Sequence, residues 1–155
     1  LRFELIPDSG GAGAFRGGLG IRREYVNLQD ARFSIRSTKH IIAPNGAAGG
    51  GTGRTGDIVV NQGRDDEKRL PTRYADYPLK AADTFNLDTP GGGGLGHALT
   101  RDPQRVADDV NEGYVTLEAA TTSYGVALVR TGRKFEVEPA GTEQLRARLK
   151  AAHAS

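Results

Sequence analysis

The sequence contains no cysteine, no methionine and no tryptophan, and long apolar runs are also missing. Without cysteine the chain can form neither a disulfide framework nor a thiolate metal site. The composition is compatible with the cytoplasm, where we expect the protein to reside. No stretch approaches about 18 consecutive apolar residues, so we expect no membrane-spanning helix. The first six residues, LRFELI, carry two charges and do not resemble a signal peptide.

The lack of methionine leaves the chain without an initiator residue. The sequence also opens with an alternating stretch, Leu1 to Leu5, that is typical of a β-strand already under way. We therefore expect a fragment of a longer polypeptide or a processed chain.

An excess of one charge is missing as well, because 21 Lys and Arg residues nearly balance 19 Asp and Glu residues and leave a formal net charge of +2. No block of five like charges occurs, and the run from Arg64 to Arg69 mixes both signs, as expected for a solvated loop. Nucleic-acid binding is therefore not expected. A length of 155 residues with 37% hydrophobic residues is enough for one soluble domain with its own core.

Glycine, by contrast, is abundant: 22 residues are concentrated in clusters at 10–20, 46–56 and 91–96. Such clusters form either flexible linkers or tight backbone that needs a positive φ or a close approach. Aromatic and charged residues interrupt the first cluster, and Thr89-Pro90 stiffens the entry into the third. We predict ordered loops for the first and third clusters, whereas the middle one, NGAAGGGTGRTG, could be mobile.

Period-two alternation predicts short β-strands over residues 31–36 and 84–88. Short strands are also predicted over residues 1–5, 20–28 and 57–60, although the alternation within 20–28 is poor. Helical signals begin after Thr100. Asp102 is predicted to cap a helix that ends at Gly113, and Thr116 a second helix that ends at Gly125.

Two short strands around residues 127–129 and 135–137 are predicted to follow, with Thr142 capping a last helix. The predicted fold class is α+β: a β-rich glycine-loop region, then short helices, then a small terminal strand pair plus helix.

The letters Asp8-Ser9-Gly10-Gly11 also surround the nucleophile of trypsin-like serine proteases. That chemistry requires a histidine base and an orienting acid, which in those proteases precede the serine. Only eight residues precede Ser9, and none of them is histidine. A nucleophilic role for Ser9 is therefore not expected.

The chain has no Gly-Lys pair for a Walker loop, and Gly11-x-Gly13 meets Arg16 where a dinucleotide fingerprint needs its third glycine. The G-x-G-x-x-G spacing does occur at 51–56 and within 91–96, but neither run opens a predicted helix, which that fingerprint requires. Glycine loops can still form nests of backbone N–H groups that hold an anion. Gly91, Gly92, Gly93 and Gly94 are the better candidates, because a predicted strand delivers them and Thr89 offers a hydroxyl. A sharp structural turn is the alternative interpretation of these residues.

The three histidines, at positions 40, 97 and 153, show no metal-ligand spacing, so no metal site is expected. His97 adjoins the third glycine cluster and is a functional candidate. His40 is expected to be an exposed polar residue.

Three glycine-punctuated blocks follow one another: PDSGGAGAFRGGLGIRREY at 7–25, TPGGGGLGHALTRDPQRVADDV at 89–110 and NEGYVTLEAATTSYGV at 111–126. Together they resemble the B subunits of hydantoinases and 5-oxoprolinases, and the loop from Ala43 to Gly53 looks similar too. The resemblance covers about residues 1–130. We therefore assign 1–130 to the C-terminal portion of a hydantoinase B-like domain and 131–155 to a strand–helix tail.

The resemblance implies that the chain is the last part of a larger B subunit. Such subunits act with an A subunit that binds ATP and Mg²⁺, and together they open cyclic amides such as hydantoins or 5-oxoproline, coupled to ATP hydrolysis. Related members carboxylate ketones such as acetone or acetophenone. The implied partners are the A subunit, the remainder of the B subunit and a small-molecule substrate, in a hetero-oligomer. A non-catalytic module that shapes a subunit interface is the alternative.

The sequence departs from the family pattern at His97-Ala98, where Asp-Pro is common, and at Leu95, where an aromatic residue is common. These changes weaken any inference about the substrate. ATP-coupled ring opening needs fixed hydrogen-bond donors that bind charged oxygens. The candidate substrate- or anion-binding residues are Asp8, Ser9, Gly10, Gly11, Arg16, Thr89, Gly91, Gly92, Gly93, Gly94 and His97.

For Arg16, a salt bridge to Asp8 or to a neighbouring strand is the structural alternative. The relative positions of loops 8–20 and 91–97 distinguish a catalytic part of the enzyme from a non-catalytic interface module. Convergence of these loops on one cleft favours a catalytic part, and separation favours an interface module.

Overall fold

The computed structural model describes residues 2–153, with only the backbone of residue 153. Strands and helices follow the predicted α+β order. They are β1 (Arg2–Leu5), β2 (Ile21–Val26), β3 (Ala31–Arg36), β4 (Asp57–Val60), β5 (Lys68–Arg69), β6 (Arg73–Leu79), β7 (Thr84–Asp88), α1 (Pro103–Asn111), α2 (Leu117–Thr122), β8 (Leu128–Thr131), β9 (Lys134–Val137) and α3 (Pro139–His153).

Five strands form an antiparallel sheet in the order β1-β2-β7-β4-β5, and β3 pairs with β6 as a separate two-stranded ribbon. The sheet and the ribbon bury one hydrophobic cluster between them. Its buried members are Ile35, Ile58, Val60, Leu70 and Leu79, and Phe33, Tyr77, Phe85 and Leu87 pack against it. In β3 the alternation that predicted the strand separates the side chains that pack in the cluster from the exposed ones, whereas every residue of β7 is at least partly buried.

Helices α1 and α2 pack with the β8–β9 hairpin around a second cluster, formed by Val106, Val115, Ala120, Tyr124 and Val126. The predicted caps are confirmed: the Asp102 carboxylate accepts from the Gln104 amide, and the Thr116 hydroxyl accepts from the Ala119 amide. Gly113 follows α1 with a φ of 75°, which is the left-handed conformation that glycine adopts most readily.

Two local predictions were wrong. Thr142 does not cap α3, because the helix begins at Pro139 and the Glu138 carboxylate accepts from the amides of Ala140 and Gly141. The Thr142 hydroxyl instead accepts from the Ala127 amide, which ties the helix to the start of the hairpin. The run from Arg64 to Arg69 is not all loop, since its last two residues form β5.

The division at residue 130 stays a prediction; β8 runs across that position. Among residues 2–153, no helix has both the length and the apolar character needed to cross a bilayer.

Candidate functional site

Three glycine-rich segments, residues 8–20, 43–56 and 89–97, pack directly against one another, and we call them the glycine core. Backbone hydrogen bonds connect them pairwise: Gly11 N to Gly92 O at 2.8 Å, Gly51 N to Ala12 O at 2.7 Å, and Gly94 N to Gly51 O at 2.9 Å. The middle segment, which the sequence left open to mobility, therefore contacts both of the others. The bonds lie outside the β-ladders, yet they pair backbone N–H and C=O groups as a sheet would.

Close approach, rather than an unusual backbone angle, explains most of the glycines of this core. A Cβ built on Gly11 or Gly17 would lie within 3.0 Å of a backbone carbonyl of another segment, a distance that real Cβ atoms essentially never show. The same holds for Gly91, whose Cβ would meet the Ser9 carbonyl. None of these three glycines has a φ in the left-handed region. Only residues without a side chain allow the segments to pack this tightly.

The packing occupies most of the backbone donors that were predicted to form an anion nest. The Gly91, Gly92 and Gly94 amides donate to the carbonyls of Arg54, Gly18 and Gly51. Within the described chain, Gly93 is the member of the four for which no backbone acceptor is recorded. Anion binding by residues 91–94 stays a prediction. Of the four amides, that of Gly93 is the one left to donate to an anion within the described chain.

Ser9 and Asp8 hold the first segment in place. Ser9 is fully buried, and its hydroxyl donates to the Ile6 carbonyl at 2.6 Å and accepts from the Gly20 amide at 2.8 Å. Asp8 adopts a φ of 56°, and its carboxylate accepts from the Thr116 amide. The Ser9 hydroxyl thus closes the loop that contains the first glycine cluster, and Asp8 connects that loop to α2.

Thr89 connects the sheet to the third segment in the same way, because its hydroxyl accepts from the Ile21 amide at 2.8 Å.

Segments 8–20 and 91–97 converge, but their direct backbone contacts fill the space between them. A neighbouring cleft of about 290 Å³ lies between the first and middle segments and residues 115–124. Burial raises the pKa of the Tyr124 phenol in its wall, which keeps this group neutral.

Arg16 belongs to a buried cluster of charges with Asp109 and Arg101. Its guanidinium donates twice to the Asp109 carboxylate, at 3.1 Å each, and Arg101 donates to the same carboxylate at 2.8 Å. The predicted salt bridge of Arg16 is thus present, but its partner is Asp109 on α1 and not Asp8 or a strand. The Arg16 guanidinium also lies over the Tyr114 ring. The cluster fixes α1 against the glycine core.

The large side chains of the core project from one part of it. Phe15 and Leu95 are joined by an antiparallel bridge and are both exposed, at 60% and 49%. Ala47 forms a parallel bridge with the same Leu95. The exposed His97 places its imidazole over Gly49, where a Cβ would meet the ring. We call Phe15, Leu95 and His97 the apolar rim.

His40 differs from its prediction as an exposed residue. It is half-buried against Gly56, and its Nδ1 atom is buried without a hydrogen-bond partner in the described structure. No group of three or more metal-ligating side chains is found among the described residues.

Sequence reasoning missed Asp109 and Arg101. A signal for Asp109 existed, since it lies three residues after Val106 on the face of α1 that packs inward. A carboxylate on such a face requires a buried partner. The sequence does not indicate that two arginines from distant segments supply it.

Comparison with known proteins shows which family has this sequence and fold. The sequence profile of the hydantoinase B/oxoprolinase family matches residues 1–98. A protein of Pseudomonas sp. strain NS671, described as the B subunit of a D-/L-hydantoinase, is 32% identical over 94% of the chain and 24% of its own length. The chain spans about a quarter of the length of the curated relatives it matches.

Two solved structures share the fold. The crystal structure of an ATP-dependent caprolactamase from Pseudomonas jessenii matches 94% of the chain and 25% of its own, with a TM-score of 0.74 and 28% identity. The nucleotide-free structure of acetone carboxylase matches 99% of the chain and 25% of its own, with a TM-score of 0.75 and 23% identity. The glycine core lies wholly within the matched residues 1–98, and the chain is therefore a member of the hydantoinase B/oxoprolinase family.

Proposed function

We propose that the chain is part of the B subunit of an ATP-dependent cyclic-amide hydrolase, which opens rings of the hydantoin or 5-oxoproline type together with an ATP-binding A subunit. The observation that carries this proposal is the family match over residues 1–98, because it covers the whole glycine core. The hydantoinase subunit and the caprolactamase, which both match over 94% of the chain, support a cyclic-amide substrate.

In this proposal the chain acts mainly as a rigid scaffold. The amides of residues 91, 92 and 94 are already bonded to carbonyls, so this glycine run offers few free donors for the phosphates of ATP. The absence of a Walker loop agrees with this. ATP and Mg²⁺ are therefore proposed to bind to the A subunit.

The apolar rim supports the proposed partners. Phe15 and Leu95 expose large apolar surfaces, and they project from a backbone that hydrogen bonds hold on both sides. Exposed apolar side chains on a rigid base are typical of protein contact sites. We assign this surface to contact with the remainder of the B subunit or with the A subunit.

A subunit of an ATP-dependent ketone carboxylase is the second candidate. The acetone carboxylase structure has the same fold over nearly the whole chain. A non-catalytic interface module of such a complex would have the same rim, and it would leave all chemistry to other residues.

The test is to purify the protein from its host together with the polypeptides that accompany it, and to measure ATP hydrolysis with a panel of substrates. The panel contains hydantoin, 5-oxoproline, caprolactam, and acetone with bicarbonate. We expect one cyclic amide to stimulate ADP release, with ring-opened product formed in proportion.

Stimulation by acetone and bicarbonate alone would replace the proposal with the carboxylase alternative. ATP hydrolysis that no cyclic amide stimulates would contradict the proposal. In an active preparation, replacement of Arg16 by alanine tests that candidate: turnover that is unchanged in a folded variant removes Arg16 from the site.

A further inference from the structure

A cleft of about 550 Å³ lies outside the glycine contacts, between residues 40–41, 54–57 and 69–72. We call it the basic cleft. It opens where the middle glycine segment runs into β4, and β5 forms its other side. Its volume is in the range typical of sites for small molecules.

Two arginines face this cleft with most of their donors uncommitted. Arg54 is 43% exposed, and its one recorded ion pair is to Asp88 at 3.3 Å. Arg69 is 69% exposed, and its one recorded ion pair is to Asp57 at 3.1 Å. A guanidinium has five N–H donors in a fixed fork, so each of these groups can bind a further anion.

The cleft has a surplus of positive charge because the Asp88 carboxylate is shared. Arg22 already donates to both of its oxygens, at 2.8 and 2.6 Å, and these bonds raise the pKa of the Arg22 guanidinium. Arg54 is thus a second cation on one carboxylate. Arg2, Arg22, Arg54 and Arg69 pair with only three carboxylates, those of Glu4, Asp57 and Asp88, so one positive charge is not neutralised within the cluster.

The Arg54 backbone is rigidly placed. Its amide donates to the Ser9 carbonyl and its carbonyl accepts from the Gly91 amide, so both neighbouring glycine segments hold it. Thr55 and Thr72 add hydroxyl groups to the walls. His40 adds an imidazole ring. A small number of polar side chains that converge on a cleft is typical of a site for a polar ligand.

A second cleft of about 870 Å³ continues along the same two chain segments. Here Arg36 and Arg73 stand directly opposite each other in the β3–β6 ribbon, and neither has an ion pair in the described structure. Like charges placed opposite each other destabilise a strand pair. The positive potential therefore extends beyond the basic cleft and favours a ligand with more than one negative charge.

The geometry points to a binding site for the phosphate group of a small molecule, held by the guanidinium groups of Arg54 and Arg69. A phosphate offers several strong acceptor oxygens and up to two charges, which suits two arginine forks better than a single carboxylate does. The group can come from a nucleotide or from a free or substrate-borne phosphate. The site does not depend on the reaction proposed above, so either can fail while the other holds.

The experiment is calorimetric titration of the purified protein, at constant ionic strength, with inorganic phosphate in one arm and ADP in the other. We expect saturable binding of at least one probe. The double variant Arg54→Gln/Arg69→Gln should weaken it about tenfold or more, since two charge-assisted contacts are lost. Tighter binding of ADP assigns the phosphate to a nucleotide, and equal affinities assign it to a free or substrate-borne group.

The control is Arg32→Gln, which removes one positive charge, as Arg69→Gln does, from an exposed arginine near the other end of the ribbon. Its affinity should stay within about twofold of the unchanged protein. Folding is checked by circular dichroism, and Arg22 still pairs with Asp88 in the double variant. If that variant does not fold, Arg69→Gln alone is used, because the Arg69 side chain is largely exposed and its replacement should not affect folding. This single variant is expected to weaken binding about threefold or more.

Three results would overturn the site. They are the absence of binding of both probes at about 10 mM, a folded double variant with unchanged affinity, and an equal loss in Arg32→Gln. The last result would show a diffuse effect of net charge instead of a site.

Discussion

Gly17 and Gly18 are neighbours in the chain, but only one of them has room for a side chain. A Cβ on Gly17 would meet the carbonyls of Gly92 and Gly93, whereas a Cβ on Gly18 would meet nothing within 4 Å. Neither residue has a left-handed φ. The difference between the two positions is therefore one of packing against the third segment.

We predict that Gly17→Ala lowers the free energy of unfolding by about 2–4 kcal/mol, because the backbone of residues 92–93 cannot move aside without breaking its own hydrogen bonds. Gly18→Ala should change it by no more than about 1 kcal/mol, and in the stabilising direction, because alanine restricts the unfolded chain. Denaturant unfolding of the two variants measures both values. Equal effects would contradict the packing argument.

The sequence indicated this arrangement only in part. Residues such as Phe15 and Thr89-Pro90 indicated that the first and third clusters are ordered. The middle cluster has few side chains, so no periodic pattern could show that Gly51 packs against Ala12. The partner that requires a glycine is another backbone, and a backbone has no signature in the sequence.

Helix α1 is attached to the glycine core through one carboxylate. Asp109 binds Arg16 and Arg101, and all three side chains are largely buried. The neighbouring Asp108 is exposed and accepts a single hydrogen bond from Gln104. The two aspartates therefore form a matched pair on one helix.

Replacing Asp109 with asparagine should lower the free energy of unfolding by about 3–5 kcal/mol, since it leaves two buried guanidinium groups without a counter-charge. The same change at Asp108 should cost about 0.5 kcal/mol or less. Thermal or denaturant unfolding compares the two variants. A loss at Asp109 no larger than at Asp108 would show that the cluster does not hold the helix.

At the level of elements, caps were easier to predict than strands with irregular pairing. The Asp102 and Thr116 caps follow from local hydrogen bonds, and local sequence is enough to predict them. Strand β6 was missed because its pattern is broken: Asp76 has a φ of 57°, Pro78 lies within it, and the register with β3 shifts. Tertiary pairing, not alternation, makes this segment a strand.

On the scale of the whole molecule, the glycine core connects two hydrophobic clusters. The sheet and the ribbon enclose one cluster, and the helices with the β8–β9 hairpin enclose the other. Ala12 of the core packs against the second cluster, and Arg54 and Thr89 lead into β4 and out of β7. Order in the core is therefore the condition for the two halves to form one structure and for the apolar rim and the basic cleft to keep their positions.

Native-state hydrogen exchange at single-amide resolution tests that condition most directly. We predict that the amides of Gly11, Gly51 and Gly94, which lie outside helices and sheet ladders, exchange more slowly than unstructured peptides by a factor on the order of 10³ or more, as the β4 amides do. Exchange of these glycine amides at the unprotected rate, while β4 stays protected, would show flexible connectors in place of a packed core and would contradict the account.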